Sequence, residues 1–275
     1  MSAPADTIQA KRISTGIAGL DVLLQGGFLT NRSYVLAGDA GTGKTIACMQ
    51  FMLAGLEHGE TAVYVTVDER PADILQAALG LELNLAKYIQ EKKLVILDAS
   101  LYFSGRPTGA GEKAIDLSRF VTDLADYATK LKATRLTIDP VTPLILSRDP
   151  ATHPHDNART LLHLLHTQVP TTNLLTAHFQ NGSTGTDSSG IEQFISAGVI
   201  ILSLHRTQYS VVRTLQIKKM RGTAVEPSEH QFRIGAPQGI VLLAAGGAVS
   251  TADLAPRRTL QSFELPAEAA LTQQR

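Results

Sequence analysis

The chain has 275 residues, enough for one large domain with a sizeable core. Its 25 Lys and Arg balance 25 Asp and Glu, so the total carries no strongly basic nucleic-acid footprint, although a neutral sum leaves room for a local patch. The single cysteine, Cys48, excludes an intramolecular disulfide, the opening MSAPADTIQAKR lacks the apolar stretch of a secretory signal, and the longest nearly apolar run, Gly239 to Val249, is too short and glycine-rich to span a bilayer; a soluble cytoplasmic protein is expected.

Residues 1–10 are polar and read as a flexible terminus. Ile17, Leu20, Leu23 and Leu24 suit one face of a short helix, which Gly26 and Gly27 end. Ser33 to Ala37 reads as a strand, and IACMQFMLAGLEHG after Thr45 reads as a helix. Thr61–Val67 is rich in β-branched residues and reads as a buried strand, followed by a helix with Pro71 near its start. Leu94–Ser100 is a further strand, Leu101–Lys113 a glycine-punctuated loop, and Asp116–Leu131 an amphipathic helix. RLTID (Arg135–Asp139) is a strand, Asp156–Val169 a helix and Asn173–Phe179 a strand.

This alternation implies an α/β fold with a mainly parallel sheet covered on both faces. After Ser196, VIILSLHR, YSVVRTLQIKKM, HQFRI and GIVLL read as antiparallel strands finishing one edge. Residues 11–254 form one expected domain, and 255–275 read as a loosely held tail.

Between the first long strand and its helix stands GDAGTGKT, Gly38 to Thr45, which matches the phosphate-loop pattern G-x-x-x-x-G-K-[ST] in its required setting. Gly38, Gly41 and Gly43 let the backbone curl, so that the N–H groups of the loop, Thr42 included, point at phosphate oxygens. The first turn of the helix adds unpaired donors and a partial positive charge. Lys44 is expected to reach the β- and γ-phosphates of a nucleotide, and the Thr45 hydroxyl to hold Mg²⁺, a hard ion that prefers oxygen. Asp139, ending an apolar strand, is expected to accept from Thr45 or from Mg²⁺-bound water; the alternative is a carboxylate capping the turn before Pro140.

Four stretches resemble the KaiC-like ATPases of the RecA superfamily: RISTGIAGLDVLLQGG before the phosphate loop, VYVTVDERPADIL, RLTIDPVTPL, and IEQFISAGVIILSLHR with LQIKKMRGT. The resemblance spans roughly residues 11–245. It implies a RecA-like phosphate-loop core, ATP and Mg²⁺ as cofactors, and a homo-oligomeric ring, a hexamer by that likeness, with ATP between neighbours.

By the same resemblance, Asp68 and Glu69 stand where the family has paired glutamates that act on the attacking water. Asp68 is a methylene shorter than the usual first glutamate, and misplacement on the order of 1 Å can cost ~100-fold, so either Glu69 takes the role or Asp68 acts through a longer contact with slow turnover. The alternative is a pair of acids at the start of the Pro71 helix. His178 is expected at the same sheet edge, either sensing the γ-phosphate or sitting as a rim histidine. Lys219 and Arg221 match the family's lysine and arginine that act on the neighbour's γ-phosphate; the strand is read as an edge strand with both on one face, and a guard against strand pairing is the alternative. Val225 stands near a position where the family often has histidine. Gln193 and Phe194 occupy the places of the acceptor hydroxyls of autokinase-type domains, so the hydrolysing type is expected.

The leading reading is therefore an ATPase switch whose state a signalling protein reads. A DNA-handling recombinase is the alternative from another class, disfavoured because the loop Asn181 to Gly190 carries no Lys or Arg. A nearly inactive nucleotide-dependent scaffold is a third reading.

Overall fold

The computed structural model describes residues 11–102, 115–146, 154–178, 196–206 and 210–243. The readings of residues 1–10, of the loop from 103 to 113, of Asn181 to Gly190, of Gln193 and Phe194, and of the tail 255–275 lie outside them. A two-stranded ribbon pairs β1 (Arg12–Ile13) with β2 (Phe28–Leu29), with the short helix α1 (Ala18–Leu23) between them. Then follow β3 (Ser33–Gly38), α2 (Lys44–Leu56), β4 (Ala62–Thr66), α3 (Pro71–Gly80), α4 (Leu85–Gln90) and β5 (Leu94–Asp98). After a 3-10 turn at Ala99–Tyr102 come α5 (Leu117–Leu131), β6 (Arg135–Asp139), α6 (Thr142–Ile145), α7 (Pro154–Gln168) and β7 (Thr172–His178). The chain continues through β8 (Gly198–Arg206), β9 (Val211–Met220), β10 (Glu229–Gly235) and β11 (Gly239–Leu242).

The nine longer strands form one sheet in the order β11-β10-β9-β8-β3-β7-β6-β4-β5. From β8 to β5 every neighbouring pair is parallel, while β8–β9, β9–β10 and β10–β11 are antiparallel. This is the mainly parallel sheet with antiparallel strands at the C-terminal end that the alternation of elements and the pattern after Ser196 implied. Two details differ. β8 runs parallel to β3, so the antiparallel section begins only at β9. And β9 is interior, between β8 and β10, so it is not the edge strand expected from its charges.

Alternating side chains serve two cores. On one face Tyr34, Leu36, Tyr64, Ile200, Leu202 and Ile217 pack under α2, α3 and α4 through Phe51, Met52, Ile74 and Leu85. On the other, Val35, Ala37, Val63, Ile138 and Leu175 meet α5 and α7 through Phe120, Leu124, Leu161 and Leu165. Parallel strands buried on both faces must be apolar along their whole length, which is why these read as near-continuous Val, Ile and Leu runs. Cys48 is fully buried in the α2 core, where burial pushes its thiol up, in keeping with a packing role.

The amino-terminal end of the sheet is held by Arg135, 2% exposed. Its guanidinium donates to Glu60 at 2.8 Å and to the carbonyls of Ser14 and Phe51, and lies 4.7 Å from the Phe51 ring. One side chain thus joins β6, α2 and the N-terminal segment.

Candidate nucleotide site

The strand register gathers the site. Gly38 pairs with His178 on one side and Leu202 on the other, while Thr66 pairs with Asp139. The carboxyl ends of β3, β4, β6 and β7 therefore form one edge, where open parallel sheets bind ligands.

Gly43 ends the loop with φ 108°, a left-handed conformation that side chains other than glycine resist, and α2 begins at the next residue. Thr42 is buried and donates its hydroxyl to the Asp39 carbonyl at 2.8 Å, which pins the loop from inside. Lys44 is 8% exposed and donates to the carbonyls of Gly38 and Asp39, each at 2.8 Å. Burial holds its ammonium below the ordinary value, against the opposing pull of Asp139 and Asp39. Thr45 stands half-buried in the first turn of α2.

Asp139 is 7% exposed. One carboxylate oxygen accepts from Tyr64 at 2.7 Å and the other from Thr176. Among the described residues its hydroxyl donors are these two buried side chains. Neither donor is a backbone N–H, so the carboxylate is not a cap for the turn before Pro140. Burial, with Asp139 next, pushes the Tyr64 phenol well above its usual range, so it remains a donor.

Asp68 and Glu69 lie in the turn just after β4, both exposed at the site edge. The Thr66 hydroxyl closes this turn by donating to the Glu69 carbonyl at 2.6 Å. The acid in the first turn of α3 is Asp73, paired with Arg70 at 2.9 Å, and Asp68 and Glu69 stand just before the N-cap Arg70. Partial desolvation raises both carboxyl pKa values; the Asp139 charge adds to both, Asp73 and Asp68 add to that of Glu69, and His178 opposes the shift of Asp68. These dependences bring Asp68, Glu69, Asp139 and His178 into one electrostatic cluster. The His178 side chain is exposed at the end of β7, and its backbone N–H donates to the Thr142 hydroxyl at 3.0 Å.

Lys219 and Arg221 are not part of this edge. Lys219 pairs with Val199 and Met220 with Gly198, which stands beside Tyr34 at the start of β3. The far end of β3, at Gly38, is four residues on, ~13 Å at ~3.3 Å per residue. A bulge adds to the separation. Ile200 pairs with Ile217 while Val199 pairs with Lys219, so Lys218 is an extra residue and the facing inverts there. Ile217 faces the α2 core, whereas Lys219 shares the opposite face with Val199 and Val35. The sheet thus stands between Lys219 and its own phosphate loop. Arg221 lies beyond the strand end, so the expected shared strand face does not apply to it. The Lys219 ammonium is buried without a hydrogen-bond partner among the described residues, and burial, then the Arg221 charge, hold its pKa down.

Sequence reasoning missed three residues. Tyr64 and Thr176 are the donors to Asp139. Arg213, near the other end of β9, sets its guanidinium 3.4 Å from the Gly41 carbonyl. Alternation offered a signal, since Arg213 lies two and four residues before the core-facing Leu215 and Ile217.

The model of the KaiC ATPase family matches residues 13–246. The UPF0273 protein MK0039 of Methanopyrus kandleri is 32% identical over 231 residues, covering 82% of this chain and 89% of that protein. The circadian clock oscillator protein KaiC of Thermosynechococcus vestitus is 34% identical over 227 residues, 82% of this chain but 43% of that protein. The chain therefore spans less than half the length of this clock relative. Among solved structures, the KaiC-like protein PH0186 from Pyrococcus horikoshii matches with a TM-score of 0.70 and 29% identity, over 86% of this chain and all of that one. With the family model matched over residues 13–246 and these relatives alongside it, the chain belongs to the KaiC family of ATPases of the RecA superfamily.

Proposed function

We propose that this protein hydrolyses Mg·ATP at a site shared between neighbouring copies in a ring, and that a protein partner reads the nucleotide state. The observation that carries this reading is the pair of ends of β9. Arg213 touches the chain's own phosphate loop, while Lys219 emerges at the opposite end and on the opposite face of the sheet. A lysine at the far end and on the far face from its own phosphate loop suits a neighbour's nucleotide, and an ammonium with no acceptor among the described residues gains most from a phosphate oxygen.

The residues at the edge fit the cofactor. Loop and helix N–H groups with Lys44 would hold the phosphates. Thr45 and Asp139 offer the oxygen ligands Mg²⁺ prefers, and among the described residues no cluster of three or more His, Cys, Asp or Glu offers an all-protein cage, so the ion would complete its shell with phosphate and water. When bound, Mg²⁺ would neutralise charge on the β- and γ-phosphates. Glu69 or Asp68 would accept the proton of the attacking water, and Lys219 and Arg221 of the neighbour would stabilise charge on the transferring group, an effect worth ~10³–10⁵ in rate for such trans-acting cations. His178 would meet the γ-phosphate, and the shorter Asp68 favours slow turnover.

Molar mass in solution with and without Mg·ATP, together with turnover of the Lys219→Ala/Arg221→Ala variant, tests this. Nucleotide-dependent assembly and a collapse of turnover with ATP binding kept are expected. A monomer that hydrolyses ATP at full rate without both side chains would overturn the reading.

A further inference from the structure

The turn that follows β9 is gripped by the N-terminal segment. Arg12 donates through Nη2 to the Gly222 carbonyl at 3.2 Å and to the Thr223 hydroxyl at 3.0 Å. Through Nη1 it donates to the carbonyls of Leu24 and Gly27, at 2.9 and 2.8 Å. Gln25 donates to the Ala224 carbonyl at 3.0 Å. Leu29, which pairs with Arg12 across the ribbon, rests against Gly222, and Val225 packs on the α2 core. Gly27 is required for the grip: a Cβ there would lie 2.1 Å from the Ile13 carbonyl oxygen. The segment itself is fixed to α2 and β6, since Gln50 donates to the Gly16 carbonyl and Arg135 to that of Ser14. Arg221 is thus followed at once by a turn whose next three residues are all tied to residues 12–29.

We propose that Arg12 is a positioning residue for the basic turn at Arg221, setting the distance at which Lys219 and Arg221 meet the neighbouring copy's nucleotide. This inference rests on the shared-site reading above. The planar fork of one guanidinium spans the ribbon and the turn together, which the single amine of a lysine cannot do. Reach at a reacting phosphate is steep, with a shift on the order of 1 Å costing ~100-fold. Val225, near the position where the family often has histidine, then acts as an inward apolar anchor of the same turn.

The test is complementation between subunits, each pair of variants co-expressed with different tags and purified through both. Arg12→Ala alone is expected to bind a fluorescent ATP analogue and to melt near the wild-type temperature, with turnover down roughly 10- to 100-fold. Arg12→Lys, which keeps the charge and loses the fork, is expected to fall in between and serves if Arg12→Ala does not fold. Lys44→Ala lacks its own nucleotide site but presents an intact basic turn. Mixed with it, Arg12→Ala is expected to regain turnover, because the intact turn then serves the intact site. A merely structural defect in Arg12→Ala would not be rescued this way. The control is Lys44→Ala with Arg221→Ala. If the control recovers and the Arg12 mixture does not, or if Arg12→Ala alone turns over at the wild-type rate, the role given to Arg12 is wrong. If the control itself fails to recover, the shared-site reading falls and this inference with it.

Discussion

Tyr64 donates its phenolic hydroxyl to Asp139 at 2.7 Å from inside the sheet, below the carboxyl edge that faces the phosphate loop. The tyrosine is fully buried, so no solvent competes for this bond. Hydrogen-bonded neighbours of metal-binding carboxylates commonly affect metal affinity by about 10–100-fold. Tyr64→Phe keeps the ring and its packing, and leaves Asp139 with Thr176 as its hydroxyl donor among the described residues. The Mg²⁺ concentration that half-saturates binding of a fluorescent ATP analogue should rise about 10-fold, while binding without Mg²⁺ stays the same. An unchanged Mg²⁺ midpoint would separate Asp139 from the metal.

The acidic pair can be resolved by pH. A carboxylate acting as base must be ionised, and both groups have raised pKa values, so if one of them is the base the acid limb of kcat/KM should lie above the ordinary carboxylate range. Asp73 adds to the shift of Glu69 and not to that of Asp68, whereas His178 opposes the shift of Asp68 alone. Asp73→Asn, which also releases Arg70, should move the limb to lower pH if Glu69 is the base. A limb that ignores Asp73→Asn but climbs in His178→Ala would assign the base to Asp68.

Gly43→Ala puts a Cβ where φ is 108° and where the Ile234 Cδ1 stands 2.9 Å away. The left-handed conformation costs roughly 1–2 kcal/mol for an alanine, and the far end of the isoleucine can yield. The fold should survive with a modest fall in Tm, while affinity for ATP drops at least tenfold because the loop N–H groups are re-aimed. Wild-type affinity by fluorescence titration would mean that this backbone does not hold phosphate.

The Glu60–Arg135 pair predicts an acid-dependent stability. Burial raises the Glu60 pKa, but the Arg135 and Thr134 hydrogen bonds outweigh it, and the net shift is downward. A depressed carboxylate contributes stability that is fully present above its unfolded pKa, ~4.3, and is lost as pH falls through the folded value. Glu60→Gln leaves Arg135 buried without its counter-charge, at a cost of about 3 kcal/mol, the lower end for broken buried pairs because Glu60 is partly exposed. Urea unfolding should show the full deficit at pH 6–8 and a closing gap below pH ~4. A gap independent of pH would mean the pair acts through packing alone.

Sequence by itself determined what depends on adjacent residues. The phosphate loop is contiguous, its glycines and Lys-Thr pair fixed by local backbone geometry, and the strands and helices around it follow from side-chain period. α5 and β7 fall within a residue of their expected bounds for that reason, and Asp139 and His178 end their strands as read. Tertiary structure alone decided which strands adjoin and which way each side chain is turned. Asp139 meets Tyr64 across 75 residues and Thr176 across 37, Gly41 meets Arg213 across 172, and Arg12 meets Gly222 across 210. Such pairings come from sheet order, which period does not encode. The orientation of Lys219 was hidden for a related reason: one extra residue, Lys218, inverts the alternation, and a bulge leaves no mark in the pattern of apolar and polar residues until the partner strand is known.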